Sequence, residues 1–176
     1  IPVHTGTPGT YDKTRNEKRK WLGERKEMEQ ITPMLSIEDD RKGAPAFIVE
    51  TAEKNSGDLE LVTIGPLTNI AQALDLDAQL STHINKITMM AGASKVQGNV
   101  TPAAEFNVWA DPESAAKVFG SGIPIRMVPL DVCHKTRFGR EHLNDIGAND
   151  HPFCQFVQQS VDCLLYTSPS PRDMTG

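Results

Sequence analysis

Short apolar runs rich in β-branched residues alternate along this chain with segments of helical pattern. Residues 59–64 run into Gly65-Pro66, residues 84–91 into Gly92, and residues 123–130 into Asp131. Runs of this length and composition predict strands. Between them lie helical patterns. In residues 43–55, Ala46, Phe47, Ile48 and Val49 cluster on one face, Ala52 follows a turn later, and Gly57 stops the helix. A second helix starts at Pro66, whose missing N–H costs nothing in a first turn, and runs through Leu67, Ile70, Ala71 and Leu74. A third opens at Asp111-Pro112-Glu113, with an N-cap, a proline and an acid in order, and continues through Ala115, Ala116 and Val118 towards Gly120. Residues 140–146 and 152–162 predict two more. Strand, helix, strand, loop, helix, strand, helix implies parallel strands joined by crossover helices. The expected fold is α/β: a Rossmann-like open, mainly parallel sheet with helices on both faces.

The rest of the chain narrows the classes of partner. A formal net charge of −5 does not favour nucleic-acid phosphates. The one basic stretch, residues 13–26, is interrupted by Glu17 and Glu24 and reads as a solvated face. No apolar run approaches the roughly 20 residues of a membrane helix. Cys133, Cys154 and Cys163 are widely spaced with no CxxC, which argues against a disulfide framework or a zinc site and fits a reducing cytoplasm. Residues 1–42 are polar and irregular, and Ile1-Pro2-Val3 reads as the tail of a strand already under way. Residues 163–176, CLLYTSPSPRDMTG, have no core pattern and resemble the translation of a transposase-type sequencing-library adapter. The expected organisation is therefore a partial domain over residues 1–162, cut at both ends, followed by a tail that is an assembly artefact.

In open α/β sheets, ligands bind beyond the carboxyl ends of the strands. The most polar segment near such an end is residues 98–107, GNVTPAAEFN, with two carboxamides and one carboxylate. Such groups suit a polyhydroxylated ligand, because a carboxylate accepts from hydroxyls and a carboxamide both donates and accepts. Each residue also has an ordinary reading: Asn99 beside Gly98 as a turn pair, Glu105 as a surface acid, Asn107 as the cap of a local turn, Met90 as core. His83, His142 and His151 lie in polar contexts and read as surface residues.

Taken together the segments carry more. Residues 61–71, LVTIGPLTNIA, resemble the GPLTNIA segment of the inosine/uridine-preferring nucleoside hydrolase family. Met90-Ala91-Gly92 resembles its MGG strand end. GNVTPAAEFN followed by Asp111-Pro112-Glu113-Ser114-Ala115-Ala116 is similar to its central signature, and Pro129-Leu130-Asp131-Val132 to its following strand. The resemblance implies hydrolysis of the N-glycosidic bond of ribonucleosides to ribose and free base. It implies one calcium ion at the carboxyl edge, with the backbone carbonyl of Ile64 among its ligands. It also implies a ribose held by Asn99, Glu105 and Asn107 with Met90 packed against it. A cytoplasmic homo-oligomer acting on ribonucleosides, with no nucleic-acid or membrane partner, is the expected setting.

Three departures qualify the resemblance. The family's N-terminal DxDxxxDD is absent; Asp39-Asp40 lacks the strand and the spacing and reads as a solvated turn. The family's late aspartate and its neighbouring histidine would fall beyond residue 162, so no general base is assigned here. Near the start, only Ile1-Pro2-Val3-His4 and Gly6 resemble the family's strand and His-Gly pattern. The 176-residue chain alone is therefore expected neither to bind calcium tightly nor to turn over nucleosides. A non-enzymatic ribose- or nucleoside-binding module on the same fold is the alternative. A nicotinamide dehydrogenase is disfavoured because Gly92, Gly98 and their neighbours do not supply GxGxxG. A Cys/His hydrolase is disfavoured because Cys133 and His134 would point apart on a strand.

Overall fold

The computed structural model describes His4, Gly6, Thr7, residues 43–136 and 139–149, and six positions between His151 and Val161. The expectations for Asp39-Asp40, for most of residues 1–42 and for the tail at 163–176 fall outside the described residues, as does much of the helix expected at 152–162. The chain divides into two compact units, Ile1–Cys133 and His134–Gly176. The first carries the sheet. In the second, the described helix is Arg140–Gly147, with Leu143 buried.

The first unit contains, in order, α1 (Gly43–Lys54), β1 (Leu59–Thr63), α2 (Thr68–Leu76), α3 (Leu80–His83), β2 (Ile84–Met90), α4 (Phe106–Ala110), α5 (Pro112–Phe119), β3 (Ile125–Val128) and α6 (Leu130–Cys133). The three strands form a parallel sheet in the order β1-β2-β3. Thr63 pairs with Met89, and Met90 with Val128, so the three carboxyl ends lie along one edge. The glycine stop after α1 is as expected: Gly57 has φ +82°, which glycine adopts without steric cost.

The core follows from period-two alternation in the strands and alanine-rich helix faces. Leu59 and Leu61 of β1, Ile87 and Met89 of β2 and Ile125 of β3 share one face. They pack with Ile48, Val49 and Ala52 of α1, Ile70, Ala71 and Ala73 of α2, and Ala115 and Val118 of α5. On the opposite face Val62 is 73% and Ile64 82% exposed, so the described helices cover one face of the sheet.

One polar bond crosses this packing. Asp111 is fully buried; its Oδ1 accepts from Ser114 N–H at 3.2 Å as the N-cap of α5, and its Oδ2 accepts from the hydroxyl of Thr68 at the start of α2. Two segments 43 residues apart are thereby joined by one carboxylate. Asp111→Ala removes the cap and leaves the buried Thr68 hydroxyl without this partner, an expected loss of about 2 kcal/mol in urea denaturation. An unchanged denaturation midpoint would contradict this role.

The end of the third strand differs from expectation. Residues 123–130 were expected as strand, but β3 stops at Val128 and residues 130–133 form a helical turn. Pro129 has no N–H to continue a ladder. Its carbonyl instead accepts from Val132 and Cys133 N–H, and Leu130 N–H turns to the Gly92 carbonyl at 3.0 Å. Cys133 therefore ends a turn of helix rather than lying on a strand, and its thiol faces the Val128 carbonyl at 3.9 Å.

Candidate active site

Four of the sequence-predicted residues are brought together at the carboxyl edge. Glu105 is 2% exposed, which removes the surface-acid reading. It caps α4, with Oε1 accepting from Asn107 N–H at 2.8 Å and Oε2 from Val108 N–H at 3.3 Å. Oε2 also accepts from Gly92 N–H at 2.9 Å, which ties the helix to the end of β2. A buried carboxylate is tolerated when its oxygens are satisfied in this way.

Asn107 is 8% exposed and reaches back to the same strand. Its Nδ2 donates to the Met90 carbonyl at 3.0 Å and lies 3.3 Å from the Met90 sulfur. It is thus a link between α4 and β2, not the cap of a local turn. Asn99 is exposed, and its Oδ1 accepts from Phe106 N–H at 2.8 Å, closing the loop over the start of α4. Met90 is half-buried, with its carbonyl and sulfur against Asn107.

The chemistry left over is specific. A carboxylate offers about four acceptor positions, and among the described residues three donors occupy those of Glu105. Among the described residues no hydrogen bond engages Asn99 Nδ2 or Asn107 Oδ1. One acceptor on a carboxylate, one amide donor and one amide acceptor thus sit within a nine-residue segment at a strand end, a set that vicinal hydroxyls can satisfy.

Ile64 lies one residue past the Thr63–Met89 pair, beside Met90 at the same edge, with its side chain 82% exposed. Calcium takes about six to eight oxygen ligands. Among the described residues no group of three or more His, Cys, Asp or Glu side chains is gathered to hold a metal, and the Ile64 carbonyl would be a single donor. The described residues do not by themselves form a calcium site, and no chemical step is assigned to the ion.

The N-terminal positions that are described contact α1 and α2. Thr7 N–H donates to Asn69 Oδ1 at 2.9 Å, and His4 stacks on Phe47 of α1 with ring centroids 3.7 Å apart. Asn69 of the GPLTNIA segment therefore serves as a backbone anchor. His83 is half-buried rather than exposed, with its Nδ1 2.7 Å from the Ser56 hydroxyl. A cavity of about 410 Å³ is lined by Gly92 and Glu105 together with Trp109, Phe119 and Met127 among others. Its lining is mainly apolar and does not suit a sugar.

Sequence reading placed two further residues at this edge without assigning them a role. Gly92, with φ +74°, donates to Glu105 and accepts from Leu130. Asp131 accepts from the N–H groups of Ser94 and Lys95. Both stand at the ends of the strands expected from sequence and in family-like segments, but neither signal reveals the hydrogen-bond partner.

Comparison with known proteins identifies the family. The sequence profile described as inosine-uridine preferring nucleoside hydrolase matches residues 1–173. A pyrimidine-specific ribonucleoside hydrolase, RihA, of Shewanella sp. (strain ANA-3) is 39% identical over 140 residues, covering 80% of this chain and 44% of the relative. Among solved structures, a purine-preferring ribonucleoside hydrolase from Gardnerella vaginalis superposes with a TM-score of 0.66 at 30% identity, over 77% of this chain and 46% of that one. A plant nucleoside hydrolase, PpNRh1, superposes with a TM-score of 0.61 at 33% identity, over 69% of this chain and 39% of that one. The chain spans less than half the length of these relatives. Sequence match and fold agree: this chain belongs to the inosine-uridine preferring nucleoside hydrolase family.

Proposed function

We propose that this chain is part of an enzyme that hydrolyses the N-glycosidic bond of ribonucleosides, releasing ribose and free base. In this reading Asn99, Glu105 and Asn107 hold the ribose hydroxyls, Met90 packs against the sugar, and the Ile64 carbonyl is one ligand of a calcium ion. The supporting observation is the buried Glu105 carboxylate at the carboxyl edge, with Asn99 Nδ2 and Asn107 Oδ1 uncommitted among the described residues. Each residue has a distinct part. Glu105 accepts from a hydroxyl, Asn99 donates, and Asn107 accepts while its other end is fixed to Met90. Differential strengthening of these bonds as charge develops on the ribose would contribute to rate.

The relatives named above include both pyrimidine-specific and purine-preferring enzymes. The sugar is the part these substrates share, and it is the part the described residues address. A cytoplasmic setting fits the free thiols of Cys133 and Cys154. No helix among the described residues is long and apolar enough to cross a membrane. The intact protein is proposed to be a homo-oligomer, checked by light scattering. The reading of residues 163–176 as an adapter is checked by sequencing the source DNA across residue 162.

The test is ribose release from inosine and uridine by the protein of the complete reading frame, with calcium and with chelator. Activity that disappears on chelation and returns with calcium is expected. Asn107→Ala in that protein removes one sugar bond and the Met90 anchor, and is expected to lower kcat/KM by about 10²-fold, the equivalent of about 2.7 kcal/mol. Wild-type kcat/KM in this variant, or activity indifferent to calcium, refutes the corresponding part. The 176-residue chain alone is expected to release no ribose.

A further inference from the structure

We propose that Asp131 is a positioning residue for Glu105, acting through the loop that follows β2. The consequence for ribose rests on the reading above; the coupling itself does not.

The segment between β2 and α4 has no ladder partner. Its beginning is held from two sides. On one, Gly92 N–H donates to Glu105 Oε2 at 2.9 Å. On the other, the Asp131 carboxylate accepts from two consecutive amides, Ser94 N–H on Oδ2 at 2.9 Å and Lys95 N–H on Oδ1 at 2.7 Å. Leu130 N–H to the Gly92 carbonyl, at 3.0 Å, completes the tie between this loop and the end of β3. Ser94 and Lys95 are themselves exposed, so no packing holds them in place of these bonds.

The residue type matters. Two adjacent N–H groups converging on one side chain need two acceptors in one plane, which a carboxylate offers and a carboxamide does not. Bonds to a charged acceptor are also the stronger kind. Ser94 lies only two residues from Gly92, so freeing residues 94 and 95 allows the Gly92 amide to move. Among the described residues that amide is the one donor to Glu105 from outside the α4 turn. Asp131 thus orients a carboxylate it does not touch.

The experiment is amide hydrogen exchange on this chain, together with the carboxylate carbon signal of Glu105. In Asp131→Ala, exchange at Gly92 and at Asn107, both bonded to Glu105, is expected to rise about 10-fold or more, with amides of β1 and α2 unchanged. The Glu105 carboxylate signal should shift. Asp131→Asn keeps one acceptor and should fall between wild type and alanine at both readouts. If exchange rises only at Ser94 and Lys95 while Gly92, Asn107 and the Glu105 signal stay as in wild type, the proposal is overturned. Should Asp131→Ala lose protection throughout the sheet, the isosteric Asp131→Asn decides by the same rule. Ribose titration of the protein of the complete reading frame, with calcium present, is a separate arm. Failure of ribose to perturb Glu105 counts against the sugar assignment and leaves the exchange result to decide the coupling.

Discussion

Gly98→Ala is expected to displace the loop that carries the candidate site. A Cβ on residue 98 would lie 2.5 Å from the Ala104 backbone nitrogen and closer still to its carbonyl carbon and oxygen. These are main-chain atoms, so no side-chain rotation relieves the clash. The same Ala104 carbonyl accepts from Val100 N–H at 3.1 Å, and Gly98 N–H donates to Pro102 at 3.1 Å. Moving residue 104 therefore opens the loop and shifts the neighbouring Glu105. The expected cost is about 3 kcal/mol, the upper end for overpacking a tight site, measured as a fall in the urea midpoint. Amide signals of Phe106 and Asn107 should move with it. A variant within about 0.5 kcal/mol of wild type, the range of an innocuous surface change, would show that the loop tolerates a side chain there.

Glu105→Ala is expected to damage stability and binding together. Loss of the α4 cap costs about 1 kcal/mol. The Gly92 N–H, directed at Oε2, is left without that acceptor, adding about 1–3 kcal/mol. A total near 3 kcal/mol follows from these two effects. Glu105→Gln is the finer test. It keeps the shape and one acceptor oxygen but turns an NH2 group towards N–H donors, so it should lose part of the stability and most of any affinity for ribose. If Glu105→Gln binds ribose as wild type does while Glu105→Ala does not fold, Glu105 serves the fold and the sugar assignment for it fails.

These two residues show where sequence reading reaches its limit. Gly98 beside Asn99 looks like an ordinary turn pair; the structure replaces that with a close approach of backbone to backbone. Glu105 looks like a surface acid because carboxylates mostly are. Its burial depends on Gly92, 13 residues earlier, and on two amides of its own helix. Neither arrangement leaves a periodic trace. The short helices α3, α4 and α6 escaped for the same reason. With four or five residues each they are too short to stand by propensity or periodicity, and tertiary bonds stabilise them. The resemblance to a known family singled out Met90, Asn99, Glu105 and Asn107; in the structure Glu105, Asn107 and Met90 are linked by hydrogen bonds, and Asn99 binds the intervening Phe106 amide.

Local information determined the strands, the longer helices, the stop at Gly57 and the cap at Asp111, because β-branched runs, glycine and N-cap carboxylates act on their immediate neighbours. The parallel α/β order followed from that alternation, and the family from motif spacing. Only the tertiary structure decided that one carboxylate joins Thr68 to α5, that β3 stops before Pro129, and that Asp131 grips the loop after β2. Each depends on donors and acceptors distant in the chain, whose meeting is set by strand register and helix packing rather than by any pattern in the sequence.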